Sequence, residues 1–146
     1  MYKRQGPERA ALEAQIARLG LASRISLPGR TETPWDELAR GQAFVLSSLV
    51  EGFPNVLLEA MSLGLPCVAF DCPSGPREMT RDGQDALLVP AGDRDVLRDA
   101  LQRVMGDLSL RRQLGERGAT AVRHRYALAS VLSEWDELFE AVQEGR

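Results

Sequence analysis

The sequence predicts a doubly wound α/β domain with a parallel sheet, followed by a helical C-terminal tail. Short apolar segments with strand character alternate with segments whose apolar residues recur at helical spacing, the pattern of a parallel sheet covered by helices. Residues 67–70 are apolar without a break, as expected for a strand that is buried on both faces. After Pro90 only helical periodicity remains, which predicts the tail.

The first two thirds of the chain contain the alternation of helices and strands. A helical stripe over residues 7–19 is followed by a short strand at 24–27 and by a helix at 34–40, which has Pro34 in its first turn. A strand at 43–47 leads into a helix at 55–63, and Gly64 then provides a normal helix stop. The apolar strand at 67–70 comes next, before a helical turn at 76–80 and a strand at 86–89.

The last third predicts three helices and no further strand. Residues 94–105 place Leu97, Leu101, Val104 and Met105 on one helical stripe. Further helices are predicted at 109–125 and 128–142. The basic end of the first of these contains His124, which we expect to be a surface group that suits a helix C-terminus.

Composition argues against several classes of function. The net charge is −3 and the basic residues form no stripe, which argues against binding to nucleic acid. No apolar run reaches the ~18 residues of a membrane-spanning helix. Cys67 and Cys72 have neither zinc-site nor redox spacing. We therefore expect no metal and no other cofactor, and a reducing cytoplasm is the simplest location.

Glu51 and Glu59 flank the turn between the predicted strand at 43–47 and the helix that follows it. The turn lies at the carboxyl edge of the strands, where ligands bind in open α/β sheets. The helix start near Pro54 and Asn55 offers unpaired N–H groups and a positive dipole end, which suit a phosphate. A carboxylate provides acceptors for vicinal hydroxyls such as those of a ribose. This arrangement predicts a pocket for a nucleotide linked to a sugar.

The segment Glu-Gly-Phe-Pro-Asn-Val-Leu-Leu-Glu at 51–59 closely resembles the paired-glutamate motif of the retaining, nucleotide-sugar-dependent glycosyltransferases of family four, which have the GT-B fold. Further segments resemble that family in the same order, at 6–9, 19–29, 64–71, 75–78 and 82–90. The resemblance covers nearly the whole chain. It implies the Rossmann-like C-terminal half of such an enzyme, the half that binds the donor.

The resemblance also implies roles for individual residues. Glu51 is implied to be the catalytic residue, which contacts hydroxyls of the transferred sugar and holds it for attack on the same face. Glu59 is implied to bind the ribose hydroxyls, and the family needs no essential metal. The other implied contacts are with the donor sugar (Gly52, Phe53 and Pro54), with the diphosphate and nucleoside (Asn55, Val56 and Leu57) and with the base (Gly29 and Arg30).

Structural roles for several of these residues remain open. Glu51 could cap the helix that follows it, Glu59 could be a solvated surface acid, and Phe53 could pack in the core. We expect Arg77 to cap a helix or to pair with Glu78 rather than to contact a ligand.

The resemblance places the chain in the second half of a two-domain enzyme. Residues 6–146 are expected to form the donor-binding domain without its first strand and without the Arg and Lys that hold the donor diphosphate. We interpret residues 1–5 as a non-native or truncated start, because they are polar where that strand should end. A glycan or lipid-linked acceptor would bind the missing N-terminal domain. The simplest interpretation of Trp135 is packing in the core or between domains. In the family the last helix crosses back onto the N-terminal domain, so Trp135, Leu138 and Phe139 could instead be apolar surface left exposed here.

The function implied by the resemblance is transfer of a sugar, with retention, from a UDP-linked rather than a GDP-linked donor in surface-polysaccharide or glycoconjugate synthesis. The preference for UDP rests on the segment at 70–76. The full-length enzyme is expected in the cytoplasm, with peripheral association at the inner face of the membrane, and the isolated fragment is expected to be inactive. Two alternatives are a non-catalytic nucleotide-sugar-binding fragment and a related sugar-nucleotide epimerase. A pyridoxal-dependent phosphorylase is disfavoured because Lys3 is the only lysine.

Overall fold

The computed structural model describes residues 7–143 of the chain, so the interpretation of residues 1–5 lies outside the described residues. The chain divides between Pro34 and Trp35 into two compact units. The described part of the first unit contains one complete helix, α1 (Arg9–Arg18). The later elements are α2 (Pro34–Ala39), β1 (Phe44–Leu46), α3 (Asn55–Ser62), β2 (Cys67–Asp71), α4 (Pro76–Met79), β3 (Leu87–Pro90), α5 (Arg94–Gly106), α6 (Leu108–Arg125) and α7 (Leu128–Gln143).

The three strands form a parallel sheet in the order β1-β2-β3. Val45 of β1 is in register with Val68 of β2, and Phe70 of β2 is in register with Val89 of β3. Parallel neighbours need a crossover connection. Here α3 lies between β1 and β2 in the chain, and α4 lies between β2 and β3. The predicted α/β class with a parallel sheet and a helical tail is confirmed.

The strand predicted at 24–27 is wrong. The main-chain amides of Arg24 and Ile25 instead donate to the carbonyl of Leu21 in a turn, at 2.9 and 3.0 Å. The described part of the first unit contains no strand that could pair with residues 24–27. A strand without a partner would leave its main-chain groups unpaired. The carbonyl of Leu27 accepts a hydrogen bond from the guanidinium of Arg9 on α1, at 2.7 Å. The other predicted elements are present, and none of their ends differs by more than two residues.

The central strand divides the core into two clusters because its side chains alternate between the faces of the sheet. Cys67 and Ala69 pack on the side of α3, whereas Val68 and Phe70 pack on the side of α5. All four are buried, which explains the unbroken apolar run. Burial of a large aliphatic side chain contributes about 1.5–3 kcal/mol. The first cluster also contains Leu46, Leu57, Ala60, Met61 and Met79, and the second contains Val89, Ala100, Val104 and Leu114.

A buried acid fixes the loop between α4 and β3. The carboxylate of Asp85 accepts two hydrogen bonds from the guanidinium of Arg81, at 2.7 and 2.6 Å, and the residue is 1% exposed. The hydroxyl of Thr80 donates to the carbonyl of Pro76 at 2.7 Å and accepts from the amide of Gly83 at 3.2 Å. A buried charge without a partner would be strongly destabilising, so Asp85 and its partner Arg81 act together in the loop.

An apolar stripe on α7 is exposed to solvent. Its six large apolar side chains are 51–74% exposed: Leu128, Leu132, Trp135, Leu138, Phe139 and Val142. The rings of Trp135 and Phe139 stack with their centroids 5.7 Å apart. Exposure of Trp135, Leu138 and Phe139 is therefore confirmed over core packing of Trp135. Within residues 7–143, no helix combines the length and the apolar character that crossing a membrane requires.

Two glycines meet where α3 packs against α6. Gly64 follows α3 with a φ of 74°, the left-handed conformation that glycine commonly supplies at a helix C-terminus. A Cβ built on Gly115 of α6 would lie 2.2 Å from the carbonyl oxygen of Gly64. A Cβ built on Gly118 would lie 3.5 Å from side-chain atoms of Met61 on α3, an ordinary contact distance. The separation of the two helices therefore depends on the missing side chain at position 115.

We expect Gly115→Ala to destabilise the fold by about 2 kcal/mol or more, because the new methyl group meets main-chain atoms that cannot rotate away. Urea unfolding followed by circular dichroism measures the change. The matched control is Gly106→Ala at the end of α5, where the added Cβ meets nothing within 4 Å. That variant should be neutral or slightly more stable, by up to about 1 kcal/mol. Equal effects of the two substitutions would contradict the close helix contact.

The buried thiol of Cys67 makes stability depend on pH in the alkaline range. Burial raises the pKa of Cys67 from its ordinary 9.0 to about 12. The folded chain keeps a proton that the unfolded chain loses, so this contribution is present below pH 9 and is lost as pH rises towards 12. We expect Cys67 to lower the free energy of unfolding by about 1.4 kcal/mol per pH unit above pH 9. Urea unfolding at pH 8 and pH 10 tests this, since Cys67→Ala should show a shallower decline than the parent chain.

Candidate functional site

The carboxyl ends of the three parallel strands meet at one edge of the sheet, and polar residues cluster in the loops that follow β1 and β2. Glu51 lies in the loop from β1 to α3, and Asp71 and Cys72 lie at the end of β2. In open parallel sheets this edge is where ligands bind. Among the described residues, no group of three or more His, Cys, Asp or Glu side chains is arranged to hold a metal ion.

Glu51 is partly buried and lies beside the end of β2. Burial raises the pKa of the Cys72 thiol, and the carboxylates of Glu51 and Asp71 raise it further, while main-chain amides of Cys72 and Glu51 oppose the shift. Glu51 therefore lies close to Cys72 at the end of β2. Cys72 is 3% exposed and stays a neutral thiol, so it is not an activated nucleophile.

The N-terminal end of α3 opens at the same edge. Pro54 is the residue before the helix, and no side chain caps this end, so Glu51 does not act as the cap. The amides of Asn55 and Leu57 donate to the carbonyls of Phe53 and Pro54, both at 2.8 Å. Without a carboxylate or hydroxyl cap, the positive end of the helix dipole remains available to an anion.

Glu59 lies one turn further along α3, on the same face as Asn55 because residues four apart are stacked on a helix. It is partly buried, and its carboxylate makes no hydrogen bond or ion pair with another residue in the described range 7–143. The opposite face of α3 is in the core, where Leu57 is 0% exposed. The side chain of Leu57 is therefore directed into the core, and Asn55 and Val56 supply the exposed side chains of the first turn.

The loop between Glu51 and α3 is held by a contact with the loop that follows β2. Pro54 is buried, and a Cβ built on Gly75 would lie 2.5 Å from Pro54 Cδ. Gly75 also has a φ of 109°, a conformation that L-residues rarely adopt. Both requirements explain the glycine at this position. The contact fixes Pro54, and with it the start of α3.

Phe53 lies on the surface of the loop, not in the core. Its side chain is 54% exposed, and its ring makes an edge contact with Tyr126, the residue after α6, with centroids 6.5 Å apart. Gly52, next to it, is exposed and has open space around its Cα. Of the two interpretations of Phe53 from the sequence, core packing is therefore wrong.

Arg77 pairs with residues other than the expected Glu78. Its guanidinium donates to the carboxylate of Asp71 and lies 3.6 Å from a carboxylate oxygen of Asp82. These two acids raise the pKa of Arg77, Asp71 first, so the guanidinium stays charged. Because two carboxylates surround it, Arg77 ties α4 to the end of β2 and is not an unpaired cation for a ligand.

Gly29 and Arg30, implied to contact the base, lie in the first unit after α1. Both are exposed, and they follow Leu27 in a segment without regular secondary structure. Gly29 has a φ of 83°. Their implied role stays a prediction.

Sequence reasoning missed Arg125 as part of the support for this edge. Its guanidinium donates to the carbonyls of Glu78 and Met79 at the end of α4, at 3.1 and 3.2 Å, and lies 5.2 Å from the centroid of the Tyr126 ring. The sequence showed only a basic helix end at 123–125. A contact between residues so far apart in the chain has no local signal.

We expect Gly75→Ala to destabilise the chain by more than about 2 kcal/mol, since it combines an unfavourable φ with a collision against Pro54. Gly92→Ala is the control, because Gly92 has a φ of 82° but its added Cβ would only touch Leu49 at 3.7 Å. That control should cost about 1–2 kcal/mol. Thermal unfolding of both variants separates the two causes, and a cost for Gly75→Ala no larger than the control's would show that Pro54 is not held there.

Residues 4–107 match the family described as Glycosyl transferases group 1. An exopolysaccharide phosphotransferase of Streptomyces coelicolor is 41% identical over 138 residues, which are 92% of this chain and 14% of that protein. The lipopolysaccharide core biosynthesis glycosyltransferase LpsD of Rhizobium meliloti is 33% identical over 135 residues, which are 92% of this chain and 39% of that protein.

A crystal structure of a mutant of S. aureus TarM, in complex with Fondaparinux, alpha-GlcNAc-glycerol and UDP, matches with a TM-score of 0.83 and 25% identity. The match covers 92% of this chain and 27% of that chain. The GT-B fold implied by the sequence is confirmed by this likeness. This chain spans well under half the length of each of these three proteins.

Proposed function

This chain belongs to the Glycosyl transferases group 1 family, and we propose that the carboxyl edge of its sheet binds the nucleotide-sugar donor of a retaining glycosyltransferase. The geometry around α3 is the main support. The uncapped N-terminal end of this helix lies between two partly buried acids, Glu51 and Glu59. A helix end of this kind suits a phosphate, and free carboxylates suit sugar hydroxyls.

Glu59 binds the ribose of the donor in this proposal. Its carboxylate has free acceptors, and neighbouring ribose hydroxyls are donors at a spacing that one carboxylate can accept. Asn55 and Val56 are exposed on the first turn of α3, between Glu59 and the loop, and lie beside the diphosphate. Leu57 contributes through its main chain only, because its side chain is in the core.

Glu51 acts on the sugar at the other end of the donor. As the bond from the anomeric carbon to the diphosphate breaks, negative charge grows on the leaving group and positive charge on the sugar ring. The N-terminal end of α3 stabilises the negative charge on the leaving group. The carboxylate of Glu51 stabilises the positive charge on the sugar ring and holds the ring for attack on the same face. Gly52, Phe53 and Pro54 form the wall beside the sugar.

The donor carries uridine diphosphate, and the product is a bacterial surface polysaccharide or glycoconjugate. UDP is bound in the TarM crystal structure. Of the two curated relatives, one is named an exopolysaccharide phosphotransferase and the other a lipopolysaccharide core biosynthesis glycosyltransferase. The acceptor is a glycan or lipid-linked saccharide that binds another part of a longer protein, which works in the cytoplasm at the membrane surface.

We expect UDP to bind this chain more tightly than GDP or ADP in calorimetric titrations, and Glu59→Ala to weaken binding of UDP about tenfold or more. The loss corresponds to about 1.5–3 kcal/mol for hydrogen bonds to a charged group. Glu116→Ala on α6 is the matched control, because it removes an exposed helical glutamate without touching the edge of the sheet. It should leave the Kd unchanged.

Glu51→Gln distinguishes the proposed role of Glu51 from that of Glu59. Loss of its charge should weaken UDP-sugars relative to the parent chain and leave UDP itself unaffected, since UDP has no sugar for Glu51 to contact. If the folded chain bound none of the three nucleotides, or if Glu59→Ala bound UDP as well as the parent chain, the proposed donor site would be wrong.

A further inference from the structure

The ring of Phe53 has one described aromatic contact, the edge of Tyr126, and over half of its surface is open to solvent. Phe53 stands between Glu51 and the start of α3, so its position affects the main chain of the whole loop. Pro54 is held separately by Gly75. The two halves of the segment from Glu51 to Asn55 therefore have different supports: Gly75 at the helix start and Tyr126 at Phe53.

Tyr126 is itself fixed on two sides. It packs against the core cluster that contains Leu57 and Met79. The guanidinium of Arg125 lies over its ring while donating to the carbonyls of Glu78 and Met79. A guanidinium that donates to two carbonyls and stacks on a ring restricts the motion of both groups.

The phenol of Tyr126 remains uncharged at neutral pH. Burial raises its pKa, the carboxylates of Glu78 and Glu134 raise it further, and Arg125 opposes them. The hydroxyl makes no hydrogen bond with another residue in the described part of the chain. The contact with Phe53 thus depends on the ring and not on the hydroxyl group.

We propose that Tyr126, held by Arg125, is a positioning residue that orients the loop at 51–53 for the sugar of the donor. This inference rests on the proposed donor site. Tyr126 touches no ligand itself and acts through Phe53. Because Gly75 holds Pro54 independently, loss of the ring contact should disturb the sugar side of the loop and leave the start of α3, and with it the nucleotide side, in place.

Tyr126→Leu and Tyr126→Phe provide the test in the full chain. Calorimetry gives the Kd of UDP and of UDP-glucose, UDP-galactose and UDP-N-acetylglucosamine for each variant. An edge contact between aromatic rings corresponds to roughly threefold to tenfold in an equilibrium constant. In Tyr126→Leu the Kd of the UDP-sugar that the parent chain binds most tightly should therefore rise by about that factor relative to the Kd of UDP. The Kd of UDP itself should stay within twofold of its value for the parent chain. Tyr126→Phe should behave like the parent chain.

Hydrogen–deuterium exchange of the ligand-free chain provides a readout that needs no nucleotide. In Tyr126→Leu the amides of Gly52, Phe53 and Asn55 should exchange several-fold faster, because that of Asn55 donates to the carbonyl of Phe53. The amide of Leu57, which donates to the carbonyl of Pro54, should keep its exchange rate because Gly75 holds Pro54. The amides of β2 should keep their exchange rates. Arg125→Met should show the same local change, more weakly.

Three results would overturn the positioning role: unchanged exchange at Gly52, Phe53 and Asn55, equally faster exchange in β2, or equal weakening of the binding of UDP and of UDP-sugars. If the parent chain bound no nucleotide, the proposed donor site would fail on its own. The exchange measurement would then still decide whether Tyr126 fixes the loop.

Discussion

The arrangement of this chain depends on a central strand that is buried on both faces. Because Cys67 and Ala69 pack on one side of the sheet and Val68 and Phe70 on the other, helices must cover both faces. Because the strands of this sheet are parallel, the loops after β1 and β2 leave at one edge. Glu51 then lies close to Cys72, the residue that follows β2. The site is a consequence of how the sheet is buried.

The loop from β1 to α3 has no regular secondary structure, but contacts hold it at two points. Pro54 is fixed by Gly75, whose missing Cβ allows the contact, and Phe53 is supported by Tyr126. Fixing a loop before a ligand arrives reduces the conformational entropy lost on binding. It also sets where the dipole end of α3 and the carboxylate of Glu51 lie relative to one another, which is what stabilisation of a developing charge requires.

The sequence predicted the regular elements well where a periodic apolar pattern coincided with a clear stop, as at Asn55–Ser62 before Gly64. It failed at residues 24–27, where a short apolar pattern has no partner strand in the described part of its unit. The acids Glu51 and Glu59 were identified from local spacing. Tyr126 was not, because its contact with Phe53 joins distant parts of the chain. The predicted pairing of Arg77 with Glu78 was wrong for a related reason, since Asp71 becomes a neighbour of Arg77 only when β2 and α4 fold together.

The buried and partly buried acids of the second unit form two groups according to the partners of their carboxylates. Asp71 and Asp85 give their carboxylates to Arg77 and Arg81, and both pairs tie a loop to its neighbour. Glu51 and Glu59 are partly buried, yet their carboxylates bond to no other residue in the described range. An acid that is already paired has few acceptors left, and replacing its partner with a ligand would expose a cation without compensation. An unpaired acid can accept hydroxyl donors without that loss. Among the buried and partly buried acids of the second unit, Glu51 and Glu59 are therefore the two whose carboxylates remain able to bind a polyhydroxylated ligand.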